Sequence, residues 1–249
     1  MGDPLRLYGM KALVTSAASG IGEAVARTLV KHGATVLAAD TRNSGVEQHF
    51  AAVKGILGHA EDLTDVARMP ALIDEAVGRL GGIDILVNEF PLQPDAPLTQ
   101  RDAELKRLLD ARTQLILAIC HAALPHLKKS PAGRIINTGF LRSTFAADGI
   151  AACANAEQTL AALTRALAAE TGEFGITANY VQPGAVMTPV SREVFRKNKA
   201  LRDHCIAHTA ARRVGEPVDV AKVVLFLASD DAVFVSGGGI SVDGGRTDV

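Results

Sequence analysis

Val14-Thr-Ser-Ala-Ala-Ser-Gly-Ile-Gly22 is the stretch that decides how this 249-residue chain folds. It follows a short apolar run, Lys11 to Thr15, and opens a segment of helical period that reaches Lys31. A strand that turns at once into a helix leaves free backbone N–H groups at the helix N-terminus. Glycines there let the backbone come close to a ligand, so the turn can hold a pyrophosphate. A glycine pattern alone is weak, but eighteen residues after Gly22, at the end of the second apolar run, stands Asp40. An acidic residue at that place is expected to bind an adenine-ribose 2′-OH, and its charge favours NAD over NADP. Arg42 nearby softens that preference, and Asp40 as a plain surface or capping residue is the competing reading.

Outward from this turn, short β-branched or aliphatic runs alternate with longer Ala-rich segments of helical period, the pattern of repeated βαβ units. The predicted strands are Lys11 to Thr15, Thr35 to Ala39, Gly55 to His59, Ile83 to Val87, Arg134 to Asn137, Thr177 to Val181 and Gly239 to Val242. Helices are predicted near Gly20 to Lys31, Val46 to Val53, Asp65 to Leu80, Ala103 to Lys128, Ala152 to Glu173 and Val218 to Ala228. The expected fold is therefore α/β, a doubly wound seven-stranded parallel sheet in one domain, 1–249, with no internal repeat or linker. Small residues on the last long helix, such as Ala161, Ala162, Ala166 and Ala169, would let helices approach closely. They suggest a subunit contact through 103–128 and 152–173, against the plainer reading that alanine simply favours helix.

Composition narrows the function classes. A formal net charge of -1 leaves no electrostatic footprint for nucleic acid. No apolar run approaches the roughly 18 residues needed to span a bilayer, and the first residues lack the basic start and apolar stretch of a signal peptide. Cys120, Cys153 and Cys205 are odd in number and widely spaced, which suits a reducing cytoplasm better than a disulfide framework. The chain has no Trp and only two tyrosines, Tyr8 and Tyr180.

The sequence resembles the short-chain dehydrogenases/reductases along essentially its whole length. Thr15, Gly20 and Gly22 match that family's Thr-Gly-x-x-x-Gly-x-Gly motif, with Ser16 at its first glycine. Asp62-Leu63 is similar to the pair that contacts adenine. Asn88 matches the start of the Asn-Asn-Ala-Gly motif, whose remainder is replaced by Glu89-Phe90-Pro91. Pro183-Gly184 with Thr188 is similar to the segment that meets the nicotinamide amide, and Val242-Asp243-Gly244-Gly245 matches the terminal strand and turn. The resemblance implies a Rossmann-like domain. It also implies a vestigial or weak NAD site lined by Ser16, Ser19, Ile21, Asp40, Asp62, Leu63, Asn88, Pro183 and Thr188, with the adenine half the better preserved.

What the resemblance implies for catalysis is missing. The family pairs a Tyr with a Lys four residues later, whose charge lowers the phenol pKa for proton exchange during hydride transfer. A Ser upstream and an Asn in the preceding helix complete the set. These positions fall on Cys153 for Tyr, Glu157 for Lys, Phe140 for Ser and Arg112 for Asn. No register shift restores the motif, because Tyr8 is followed four residues on by Ala12 and Tyr180 by Gly184. A carboxylate at 157 would raise the pKa of an acid at 153. A thiolate nucleophile wants a cation, so Cys153 reads better as a small core residue. Arg112 and Glu157 are expected to form an ion pair that fills the former site.

Two further patterns carry both a functional and a plain reading. His204 and His208, with Cys205 between them, could place two metal ligands on one helix face, but no third ligand accompanies them and a solvated helix is the simpler reading. The basic stretch Arg192, Arg196, Lys197, Lys199, Arg202, Arg212 and Arg213 lies within 190–213, where the resemblance implies a substrate lid. It could attract an acidic ligand such as a coenzyme A thioester, or simply be solvated. The expectation is a catalytically silent cytoplasmic subunit that joins an active relative with an intact Tyr-x-x-x-Lys, as a heterotetramer, and binds no cofactor productively. Two alternatives stand beside it. One is an enzyme of altered chemistry using Cys153, Arg112 or Glu157; the other is an NAD-sensing regulator.

Overall fold

The structure, a computed structural model, describes residues 6–90, 102–139 and 150–247, with side chains from 106 and from 155 onward in the helices that begin at 102 and 150. Seven strands form one sheet: β1 (Lys11–Val14), β2 (Thr35–Asp40), β3 (Ile56–Ala60), β4 (Ile85–Asn88), β5 (Arg134–Thr138), β6 (Thr177–Pro183) and β7 (Gly239–Val242). Their order is β3-β2-β1-β4-β5-β6-β7, and every pairing is parallel. The chain runs outward one way from β1 and then returns to start the other half at β4. A crevice opens at the carboxyl ends of these two strands, the switch point where doubly wound sheets bind ligands.

Both faces are covered, as a parallel sheet requires, and each strand alternates its side chains between two cores. Ala12, Val14, Val36, Ala38, Ile85 and Val87 point into one core, under α1 (Gly20–Lys31), α2 (Val46–Phe50) and α8 (Pro217–Ala228). Leu13, Leu37, Ala39, Leu86 and Ile135 point into the other. That second core lies under α3 (Met69–Leu80), α4 (Asp102–Leu127) and α5 (Ile150–Thr171). Arg134 is a charged exception, 1% exposed at the start of β5, with its guanidinium 3.3 Å from Asp230.

Strand and helix order agree with the sequence expectation, with shifts of a few residues at the ends. Val46–Phe50 is shorter than predicted, and the last residues expected in α5 form a separate 3-10 turn, Gly172–Phe174. The two helices not predicted are α6 (Pro189–Lys197) and α7 (Lys199–Ala207), which fill most of the segment 190–213. Their charge-rich sequence carries few apolar residues, but Phe195 and Cys205 close with Val214 into a small separate core, joined by Ala185, Met187, Leu201 and Ile206.

Candidate functional site

The turn after β1 has the geometry of a nucleotide loop. Ser16 adopts a left-handed conformation with φ 50°, and Gly20 one with φ 62°. A Cβ on Gly22 would lie 2.2 Å from the Ser16 carbonyl oxygen, so only glycine fits there. Ser19 caps α1 in an extended conformation and makes no side-chain capping bond to the first-turn amides.

Asp40 is placed to serve this loop. Its Oδ2 accepts from Ala18 N at 2.7 Å and its Oδ1 from Thr41 N at 2.6 Å, so the carboxylate ties the loop to the end of β2. Oδ1 also faces the Thr41 hydroxyl at 3.4 Å, while Oδ2 can accept a second bond, so a ribose hydroxyl can still be held there. The capping and ribose readings of Asp40 are therefore compatible. Beside it, Asp62 is closed into a turn by Thr64, whose hydroxyl donates to Oδ1 at 2.6 Å, and Leu63 is buried. Arg42 reaches toward Glu61, 3.7 Å away, rather than toward the ribose position. Glu61 was not singled out from the sequence. It is buried and holds Arg68 through two bonds of 2.8 and 3.1 Å, and that pairing keeps its carboxyl below the usual range. These donors and acceptors fit the adenosine half of a dinucleotide.

Across the switch point Thr15 locks the backbone of Glu89. The threonine hydroxyl donates to the Glu89 carbonyl at 2.7 Å and accepts from its N–H at 2.9 Å. Asn88 beside it is fully buried and donates through Nδ2 to Asn137 Oδ1 at 2.8 Å and to Cys120 Sγ at 3.3 Å. Burial pushes the Cys120 thiol up to about 12, which makes it inert. With its backbone fixed, Glu89 turns its carboxylate into the protein toward Arg112 and Thr138. Burial pushes this carboxyl up, against the pull of the Arg112 charge and of the Thr138 hydroxyl.

The expected pair between Arg112 and Glu157 is replaced by a different arrangement. Arg112 is 5% exposed, donates through Nη2 to the Thr138 carbonyl, and has Glu89 as the carboxylate acting on it. Burial lowers its pKa to about 10. Glu157 instead accepts from Gln182 Nε2 at 2.6 Å, which joins α5 to β6. The residue that follows β4 brings the carboxylate whose charge acts on Arg112, while Glu157 is taken up by Gln182. Glu89 was read from the sequence only as a bulky replacement; a charged residue directly after a buried strand, opposite an Arg on the next helix, was the signal available. Phe140 and the Cys153 side chain lie outside the described residues.

Pro183 ends β6 opposite Val242, and Gly184 packs so closely that a Cβ would lie 2.6 Å from Asp243 Cα. Thr188 caps α6, accepting from Ser191 N at 3.2 Å while Ser191 Oγ accepts from Thr188 N at 2.8 Å. A Cβ on Gly20 would touch Thr188 Cγ2 at 3.4 Å, so the glycine turn and the start of α6 are in contact. In the basic stretch, Arg196 and Lys197 are held by Glu193, and Arg213 by Asp219 at 2.6 Å, as on a solvated face. His204 and His208 lie with ring centroids 4.0 Å apart, while Cys205 is turned into the small core it shares with Phe195 and Val214. Among the described residues no group of three or more His, Cys, Asp or Glu could hold a metal ion, and no helix is long and apolar enough to cross a membrane.

A doubly wound sheet with a glycine turn at its switch point and an acid ending β2 is the Rossmann-like architecture of the oxidoreductases. The chain belongs to the short-chain dehydrogenase/reductase family. The family model described as Enoyl-(Acyl carrier protein) reductase matches residues 16–247. The chain is 33% identical to 3-oxoacyl-(acyl-carrier-protein) reductase of Vibrio harveyi over 247 residues, covering 97% of this chain and 98% of that one. It is 29% identical to 7alpha-hydroxysteroid dehydrogenase of Escherichia coli K12, over 98% and 96%. A crystal structure from Agrobacterium tumefaciens, provisionally assigned as a gluconate dehydrogenase, superposes with a TM-score of 0.84 at 31% identity, covering 98% of both chains.

Proposed function

We propose that this chain is a catalytically silent subunit that assembles with an active member of its family into a hetero-oligomeric, NAD-dependent alcohol dehydrogenase. The observation that carries the reading is the fate of the family's four catalytic positions, which here are Arg112, Phe140, Cys153 and Glu157. None is the family's residue. Arg112 is engaged with the Thr138 carbonyl and the field of Glu89, so it is not a mobile cation that would activate a phenol, and Glu157, held by Gln182, is an acid in place of the family's cation. The nucleotide loop, Asp40 and Asp62 keep the donors and acceptors for an adenosine, so NAD binds through that half. When bound productively, in an active subunit, NAD accepts or gives the hydride. In this chain the residues hold the adenosine and pyrophosphate and move no proton.

The partner is an active relative with an intact Tyr-x-x-x-Lys, met through the 103–128 and 152–173 helices in a heterotetramer. The basic lid suits an acyl-CoA substrate, and 2-(hydroxybenzyl)succinyl-CoA of anaerobic toluene degradation is the substrate we favour. The test is co-expression with that relative, followed by NAD reduction assays on this chain alone and on the purified complex. No turnover alone, with turnover by a complex containing both chains, is expected. Turnover by this chain alone that is lost on Cys153→Ala or Glu157→Gln overturns the proposal. So does a stable homotetramer that ignores the relative.

A further inference from the structure

The lid segment is clasped by the end of the chain. After α7 the backbone turns at Arg212, which takes a left-handed conformation with φ 53°. Just before that turn it runs antiparallel to the residues that follow β7. Ala210 N donates to the Gly245 carbonyl at 2.8 Å, Ala211 N to Gly244 at 2.9 Å, and Thr247 N to His208 at 3.0 Å. Thr209 and Arg246 face each other as an isolated antiparallel bridge. The fit is close: Gly244 and Gly245 have φ 69° and 76°, and a Cβ on Gly244 would lie 2.8 Å from Thr209 Cγ2 and 3.1 Å from Ala211 Cβ. Thr209 is buried and donates through Oγ1 to the Cys205 carbonyl at 2.7 Å, so the clasp reaches the small lid core.

That core is separate from the two that hold the sheet, so α6 and α7 do not share the main hydrophobic stabilisation. A segment with its own small core opens locally at low free energy unless its ends are tied. Its start is tied by the parallel bridge between Val186 and Gly215, in which Met187 N donates to the Gly215 carbonyl at 2.8 Å and Gly215 N to the Ala185 carbonyl at 2.8 Å. Its end is tied by the three backbone bonds described here.

We propose that Gly244–Thr247 is a latch that holds the α6–α7 lid closed against the body, so that opening the lid requires the C-terminal segment to peel away. The latch is independent of whether the subunit is catalytically silent.

Trypsin supplies the test, because Arg192, Arg196, Lys197, Lys199 and Arg202 are exposed along the lid. Cleavage of a segment that opens transiently follows the population of its open form. The full chain is compared with a chain ending at Asp243 and with Gly244→Ala. Gly9→Ala serves as the control, since Gly9 also has a positive φ, 79°, but has open space around it. Cleavage between 192 and 202 is expected to be at least about tenfold faster in the first two variants and unchanged in the control. Equal rates in full-length, truncated and Gly244→Ala chains overturn the latch. Amide exchange on the unmodified chain decides the matter without any variant. Ala210, Ala211 and Thr247 must be protected, and exchange at the rate of free peptide rejects the proposal.

Discussion

Arg112, in the middle of α4, donates to the backbone carbonyl of Thr138 at the end of β5. A guanidinium that is 5% exposed thus ties a long helix to the lip of the crevice, with the Glu89 carboxylate as the charge that offsets its burial. Removing the guanidinium leaves the Thr138 carbonyl without this donor, so Arg112→Ala is expected to destabilise the fold by about 1.5 to 3 kcal/mol, the range for a hydrogen bond to a charged group. Arg112→Leu combined with Glu89→Leu should cost clearly less than the sum of the two single changes. Denaturant unfolding of the four proteins gives the coupling energy, and strict additivity would show that the two groups do not interact.

Glu89 makes stability depend on pH in a definite direction. Its folded carboxyl is pushed up by burial, so the folded state holds its proton more tightly than the unfolded chain does. The contribution is complete below the ordinary carboxylate range, about 4.3, and is lost as pH rises from there through the folded value. Glu89→Gln removes this dependence. The melting temperature of the variant should gain on the parent as pH rises above that range, and parallel pH profiles would contradict the assignment.

Ser16 carries the strain of the nucleotide loop. A left-handed residue with a side chain costs about 1 to 2 kcal/mol, while glycine costs about 0.5 to 1 in lost chain entropy. Ser16→Gly should therefore stabilise the protein by about 0.5 kcal/mol, whereas Gly22→Ala cannot fit its Cβ and should lower both stability and affinity for ADP-ribose. Thermal melting and calorimetric titration test the two.

Asp40 is expected to show two losses on substitution. Asp40→Ala leaves the Ala18 and Thr41 amides without their carboxylate, at a cost of about 1.5 to 3 kcal/mol for bonds to a charged group. It should also abolish saturable binding of NAD. Retention of NAD binding at parental affinity would remove Asp40 from the adenosine site.

Cys120 should resist alkylation in the folded protein at pH 8, since its thiol is buried and pushed to about 12. Peptide mapping after iodoacetamide treatment, with and without denaturant, checks this; labelling at the same rate in both would contradict the burial.

The sheet was legible because strands buried on both faces read as short continuous apolar runs, and Val14 to Gly22 marks where one of them becomes a helix. The turn after β1 was legible too, since Ser16, Gly20 and Gly22 are fixed by local backbone geometry. Helices α6 and α7 were not, because Phe195 and Cys205 are too few to give a helical stripe and their packing partner Val214 lies beyond both helices. The partner of Arg112 was missed for a related reason. Sequence alignment with the family places residues in equivalent positions, but it does not say that Glu89 would turn inward once Thr15 fixed its backbone.

The Arg112 tie also depends on sequence at one end only. Its acceptor is the Thr138 backbone carbonyl, a group that every residue type carries, so the bond between α4 and β5 is lost by substitution at 112 but survives a change of side chain at 138.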